Sequence, residues 1–220
     1  MNIAGNAEAR ARLTAHGLDS VPAVCLGDRC VPGGDLGAIA GLLSLDYTAP
    51  SVLPPERLFA KFMLVLDAAT RFFLQAPFEG LAYKSPDRDR PFRNLGRHIS
   101  LIPRAFVLAY DSNVFDRRSF GEVNVPPDLT GPQIANEIQG SKSLLNDWWQ
   151  NSGREDPLDR VIESYWGMHT LMEVFERETW HSAQHTRQVM MFLDQLSIAP
   201  NGPLTADDLA GLPIPDRVWD

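Results

Sequence analysis

Apolar residues recur every three to four positions along most of the chain beyond residue 55, a spacing typical of amphipathic helices. The pattern predicts four helices, at about residues 56–75, 92–110, 132–150 and 168–196. We expect no strands between them, and residues 160–166 should either extend the third helical layer or begin the next. Four amphipathic helices in succession predict a mostly α protein, built on a four-helix bundle over residues 56–200.

The first 45 residues follow a different, alternating pattern. Helices are predicted over residues 7–16, after the N-cap Asn6, and over residues 36–43, after the N-cap Asp35. Between them, two apolar runs flank Gly27 and Asp28, a dipeptide typical of a two-residue hairpin turn. Residues 1–45 are therefore predicted to form a small α-β-β-α appendage of helix, hairpin and helix, joined to the bundle by a proline-containing linker at 46–55.

The end of the chain, residues 201–220, is proline-rich and carries spaced apolar side chains. We expect this tail to pack on the bundle through Leu209, Leu212, Ile214 and Trp219.

Composition and charge narrow the classes of function. Hydrophobic residues make up 44% of the chain and charged residues 22%, as in ordinary globular proteins. The net charge of −8 and the scattered basic residues argue against nucleic acid as a partner. Because no apolar run reaches the roughly 20 residues of a membrane span, and no signal peptide is recognisable, we expect a cytoplasmic protein that does not bind membranes.

The two cysteines, Cys25 and Cys30, face each other across the predicted hairpin. Paired strand residues of this kind bring their Cα atoms to about 4.5 Å, which is compatible with a disulfide. In a cytoplasmic chain, however, two reduced thiols are the first expectation, and a redox switch is the alternative.

The fourth predicted helix carries the clearest chemical signal. At about 100° per residue, Glu178, His181 and His185 lie within one stripe that is apolar at both ends, so they should point into the bundle. Burying these polar groups costs free energy unless they find partners. Imidazoles at positions i and i+4 occupy adjacent turns of one helix face and can share a metal ion. The apolar members of the stripe are Val174, Val189, Phe192 and Leu196.

A third ligand must come from elsewhere among the five histidines. His169 lies about 18 Å along the helix from His181 and cannot share the site. His16 belongs to the appendage, whereas His98 shares the inward face of the second helix. A hydrogen-bonded network of Glu178, His181 and Gln184 without any ion remains an alternative to the metal site.

Two stretches resemble the DinB/YfiT-like superfamily of metal-binding proteins. The run TWHSAQHTRQ at residues 179–188 resembles the last helix of that family, and NLGRHI at 94–99 resembles the segment that bears its first histidine. The resemblance covers roughly residues 52–200. It implies a four-helix bundle, often dimeric, with His98, His181 and His185 as the metal ligands. Characterised relatives include thiol-dependent transferases and a thiol-dependent isomerase, so the resemblance implies a site rather than one substrate.

The first 45 residues resemble the C-terminal half of a glutaredoxin, through SVPAV at residues 20–24 and GGDL at 33–36. This second resemblance implies that Val21, Pro22, Gly34 and Asp35 bind a thiol peptide such as glutathione. The first strand, first helix and CxxC motif of a full glutaredoxin are absent, which argues against the usual redox catalysis.

Together these features predict a metal-dependent enzyme that uses a glutathione-like thiol to act, as a transferase or isomerase, on an electrophilic small molecule. Three imidazoles suit zinc, nickel or iron equally well. Glu178 is the candidate for orienting a ligand or for the general base. A metal-dependent hydrolase that uses bound water, or a non-catalytic metal or thiol sensor, are the rival predictions.

Overall fold

The structure is a computed structural model that describes residues 6–18, 21–48, 52–84, 91–120 and 125–218. The chain divides into two units: the first comprises Met1–Ser51 with Glu163–Met168, and the second comprises Val52–Ile162 with His169–Asp220. The elements are mostly helices, with short strands in two small sheets, so the predicted mostly α class is confirmed.

The N-terminal elements are, in chain order, α1 (Ala7–Ala15), β1 (Ala23–Leu26), β2 (Arg29–Pro32) and α2 (Leu36–Leu43). The side chains of Asn6 and Asp35 cap the two helices, each accepting a hydrogen bond from the backbone N–H three residues on, at 3.0 and 2.8 Å. Strands β1 and β2 pair antiparallel with Leu26 opposite Arg29, which confirms the predicted two-residue turn.

Cys25 and Cys30 are joined by a disulfide bond, so the expectation of two reduced thiols is wrong. The hairpin register places the two residues directly opposite each other, with their Cα atoms 4.1 Å apart. The reduced state was expected from an assumed compartment, whereas the pairing follows from the turn.

The later elements are, in chain order, α3 (Pro55–Gln75), α4 (Phe92–Ser112), β3 (Val114–Phe115), α5 (Gly131–Trp148), β4 (Val161–Ser164), β5 (Gly167–Thr170), α6 (Leu171–Gln195) and α7 (Ala206–Leu209). Helices α3 and α4 each pack against both α5 and α6, so the four long helices form a bundle. Its core is strongly aromatic and includes the fully buried rings of Phe62, Phe72, Phe73, Phe92, Phe106, Phe175 and Phe192.

Strands between the bundle helices were not expected, and that expectation is wrong. Strands β3, β4 and β5 form a small sheet in that order, and residues 160–166 contribute to it rather than to a helix. Gly167 has a φ of 136°, which side-chain-bearing residues rarely adopt, and the Ser164 hydroxyl donates to its carbonyl at 2.7 Å. Helix α6 consequently begins at Leu171, where Thr170 and Glu173 form a capping box.

The tail is tied to the bundle helices by hydrogen bonds to its backbone. On α3, Lys61 Nζ donates to the Asp208 carbonyl at 2.7 Å and Arg71 donates to the Gly202 carbonyl at 3.0 Å. Leu212 is buried, as expected, whereas Trp219 lies outside the described residues. Across the ranges that the structure describes, we find no helix with both the length and the apolar character of a membrane span.

Candidate metal centre

Helices α4 and α6 bring His98, His181 and His185 together on their facing sides. The ring centroids are 5.1 Å apart for His98 and His181, 4.9 Å for His98 and His185, and 4.7 Å for His181 and His185. The three rings therefore form a nearly equilateral triangle, which is named the metal triangle after the ion that it could hold. One helical turn spaces the pair on α6, and the packing of α4 on α6 supplies the third ring.

The nitrogen atoms of these rings converge closely enough to ligate one ion. One nitrogen from each histidine lies within 4.8 Å of the other two, and the three residues could hold a metal ion. The Nε2 atoms of His98 and His181 are 3.3 Å apart. Two nitrogens bound to a tetrahedral zinc at about 2.0–2.1 Å are themselves about 3.3 Å apart, so this separation fits a shared ion.

Glu178 faces the metal triangle from α6 and contacts the outer nitrogen of His181. Its side chain is fully buried, and its Oε2 atom lies 3.3 Å from His181 Nδ1. Arg177 donates to the other carboxylate oxygen. Because a carboxylate accepts hydrogen bonds, the Nδ1 proton of His181 points to Glu178 and Nε2 is left to bind a metal. With both oxygens engaged and no exposure, Glu178 suits ligand orientation better than general-base catalysis.

Gln188 plays the equivalent part for His185, and sequence analysis missed it. Its Oε1 atom lies 2.7 Å from His185 Nδ1, and its side chain is buried. The amide nitrogen donates to the carbonyl of Val218, which can only accept, so Oε1 must face the imidazole. The only sequence signal was the three-residue spacing between Gln188 and His185, the same as that between Glu178 and His181.

Phe120 covers one side of the metal triangle. Its ring centroid lies 5.3 Å from that of His98 and 5.8 Å from that of His181, and Phe115 supports it at 5.6 Å. Both phenylalanines are buried, whereas the three histidines are only partly buried. An aromatic ring thus covers one side of the site, and the three imidazoles keep part of their surface exposed.

Of the alternative network, only the contact between Glu178 and His181 forms, and Gln184 does not join it. Gln184 turns away and donates to the carbonyl of Val218 at 2.7 Å. Glu178 pairs with Arg177, not with Arg187. His169 lies in β5, with Nδ1 3.6 Å from a carboxylate oxygen of Glu173, and takes no part in the triangle, as expected.

The predicted thiol-peptide residues lie in the first unit. The Val21–Pro22 peptide is cis, and the Gly33 amide donates to the Pro22 carbonyl at 2.8 Å. Val21, Pro22 and Gly34 are exposed, and Asp35 is occupied in capping α2. Val21, Pro22 and Gly34 therefore lie at the surface, whereas Asp35 is only partly exposed.

No family model matches the sequence, and a comparison with curated proteins found no match either.

Proposed function

We propose that the chain is a metal-dependent enzyme similar to the DinB/YfiT-like class, in which His98, His181 and His185 hold one divalent ion of zinc, nickel or iron. The proposed reaction joins a low-molecular-weight thiol such as glutathione to an electrophilic small molecule, either as a transfer or as the first step of an isomerisation. The observation that carries the proposal is that three partly buried histidines each place one ring nitrogen within 4.8 Å of the other two.

An ion held by three imidazoles keeps a coordination position for a thiol or water and lowers the pKa of the group that binds there. The protein itself orients the ligands and shields the site. Glu178 and Gln188 keep the protons of His181 and His185 on Nδ1, so that both Nε2 atoms are unprotonated and can act as ligands. Phe120 excludes water from one side of the rings.

The proposal that a thiol is the second substrate rests on the resemblance of the first 45 residues to half of a glutaredoxin. The surface exposure of Val21, Pro22 and Gly34 supports a thiol-peptide site in this unit. In the proposed transfer, the thiol S–H bond breaks and the sulfur bonds to the electrophilic carbon. The electron pair displaced from that carbon leaves with the halide, opens the epoxide C–O bond, or moves into the conjugated carbonyl system. The thiol proton goes to that leaving or accepting group or to solvent. The resemblance to the superfamily also supports a homodimer, which light scattering of the purified protein would test.

The proposal is tested by loading the protein separately with zinc, nickel or ferrous iron and adding glutathione with a panel of electrophiles. The panel should contain an epoxide, an aryl halide, a quinone and a cis-unsaturated dicarboxylic acid. We expect calorimetry to show that glutathione binds, and we expect glutathione to be consumed in the presence of at least one electrophile. His181→Ala should abolish consumption, whereas His169→Ala, outside the triangle, should not. Substrate turnover without thiol would indicate the hydrolase, and neither binding nor consumption would refute the transferase.

A metal or thiol sensor is the second candidate, because Cys25 and Cys30 are disulfide-bonded on a hairpin in which Cys25 is exposed. A sensor should change its metal affinity when this bond is reduced. The Cys25→Ser and Cys30→Ser double variant should then show the affinity of the reduced protein with or without reductant. Equal affinities in both redox states would leave the enzyme as the better explanation.

A further inference from the structure

A short stretch of the tail, residues 215–218, lies along α6 beside the metal triangle and presents its backbone carbonyls to that helix. Arg187 donates to the carbonyls of Pro215 and Asp216 at 2.7 and 3.0 Å. Gln184 donates to those of Arg217 and Val218 at 3.2 and 2.7 Å.

A third α6 side chain, Gln188, joins the same stretch by donating to the Val218 carbonyl at 3.1 Å. Gln184 and Gln188 are 8% and 6% exposed, and the tail carbonyls accept hydrogen bonds from their buried amide nitrogens.

Gln188 connects this stretch to the metal site. Its amide has a donating end and an accepting end, and the Val218 carbonyl fixes which end faces which neighbour. Without that carbonyl, the amide is free to rotate and present its donating nitrogen to His185. The imidazole would then have to give up its Nδ1 proton and carry it on Nε2, the nitrogen needed for the metal.

We propose that residues 215–218 position the metal centre by holding the Gln188 amide in the orientation that keeps the His185 proton on Nδ1, so that the unprotonated Nε2 can bind the ion. This inference rests on the proposed metal site and extends it to a segment in which sequence analysis predicted only packing. Gln188 and the tail are positioning elements, since neither supplies a ligand. Detaching the tail should weaken metal binding although all three histidines remain.

The experiment measures zinc and cobalt affinity of full-length variants by competition with a chromophoric chelator, together with the visible spectrum of the cobalt form. The double variant Gln184→Leu and Arg187→Leu removes four of the tail contacts without touching His185 or Gln188. Removing the support of a metal-ligating histidine typically lowers metal affinity about 10–100-fold, and we expect that loss here.

The matched control is Arg71→Leu, which also removes two arginine hydrogen bonds to tail carbonyls, at Asn201 and Gly202, but on α3. Its affinity and cobalt spectrum should equal those of the wild type. Thermal unfolding of each metal-free variant verifies that it folds, and Gln188→Leu serves as a second variant should the double variant fail to fold. Gln188→Leu should lose at least as much affinity as the double variant.

A rescue variant at position 188 distinguishes a positioning role of the tail from a general loss of stability. A carboxylate accepts with either oxygen, so Gln188→Glu needs no tail carbonyl to present an acceptor to His185. Added to the double variant, Gln188→Glu should restore affinity and the wild-type cobalt spectrum. Unchanged affinity in the double variant, or failure of this rescue, would overturn the inference while leaving the metal site intact. If the wild type binds no better than His181→Ala, the proposed function itself fails.

Discussion

His98 Nε2 and His181 Nε2 lie 3.3 Å apart across the packing of α4 on α6. A hydrogen bond between the two rings would explain that distance alone, with one ring protonated on Nε2. That bond would not involve His185, whose ring centroid lies 4.9 Å from that of His98. The proposed ion would be shared by all three imidazoles, and the side chains around them can be tested separately.

Glu178→Gln should weaken metal binding, because an amide is a poorer acceptor for the His181 Nδ1 proton than a carboxylate. The expected loss of affinity is about 10–100-fold, measured by chelator competition. Glu176→Gln is the control, since it changes a carboxylate of the same helix for which the described part of the chain shows no contact with the three histidines. Equal affinities for both variants would show that Glu178 does not support the ligand.

Phe120→Ala should remove the wall over His98 and His181 and leave a cavity beside them. Truncating a buried phenylalanine costs about 3–5 kcal/mol of stability, and urea unfolding should show a loss near the lower end because Phe120 is 8% exposed. Metal release to a chelator should also become faster. Leu74→Ala, at a side chain 58% exposed, should change neither quantity, and an unchanged release rate in Phe120→Ala would contradict the shielding role.

Gly96→Ala should destabilise the helix that carries His98. A Cβ atom there would lie 2.5 Å from Phe73 Cζ and 2.6 Å from Ile134 Cγ2, both in the packed core. Overpacking of this kind costs about 1–3 kcal/mol, which outweighs the roughly 1 kcal/mol gained in helix propensity. Gly140→Ala on α5 would meet only the flexible end of Arg104, at 3.4 Å, and should raise the melting temperature. The prediction fails if both substitutions stabilise the protein.

Glu176 should make stability depend on pH. Burial, and then the nearby charge of Glu173, raise the pKa of Glu176 above its ordinary value of 4.5. The folded protein therefore binds this proton more tightly than the unfolded chain, so the ionised carboxylate lowers stability at neutral pH, and protonation removes that cost. Glu176→Gln should be more stable than the wild type in urea at about pH 7.5, with the difference shrinking toward about pH 4.5.

The exposed carboxylate of Glu155 offers a matched control for this pH dependence. Glu155→Gln should stay within about 0.5 kcal/mol of the wild type at both pH values. A Glu176→Gln variant that is less stable than the wild type at neutral pH would show that the carboxylate has a stabilising partner.

Helix geometry explains how much of the site was predictable. His181 and His185 are one turn apart on any α-helix, and the apolar stripe on the second helix turns His98 inward, so the inward positions of the three histidines followed from periodicity. Gln188 was missed because a neutral amide at that position has no distinctive pattern, and its orientation depends on a carbonyl 30 residues away. Phe120 was missed because it lies in a connection between helices, where the sequence has no helical period.

The fold shows the same limits. The four long helices were predicted within a few residues of their ends because their apolar faces repeat over many turns. The hairpin of β4 and β5 was missed because each strand has only four residues, too short for alternation to stand out. The Cys25–Cys30 pairing followed from the turn, but no pattern in the sequence reports whether the bond is formed.

The most direct test of the central claim is the metal content of the purified protein, determined by elemental analysis after zinc loading and gel filtration. The wild type and His169→Ala should each retain about one ion per chain, and His181→Ala should lose it. Equal metal in all three proteins, or none in the wild type, would contradict a metal centre at His98, His181 and His185.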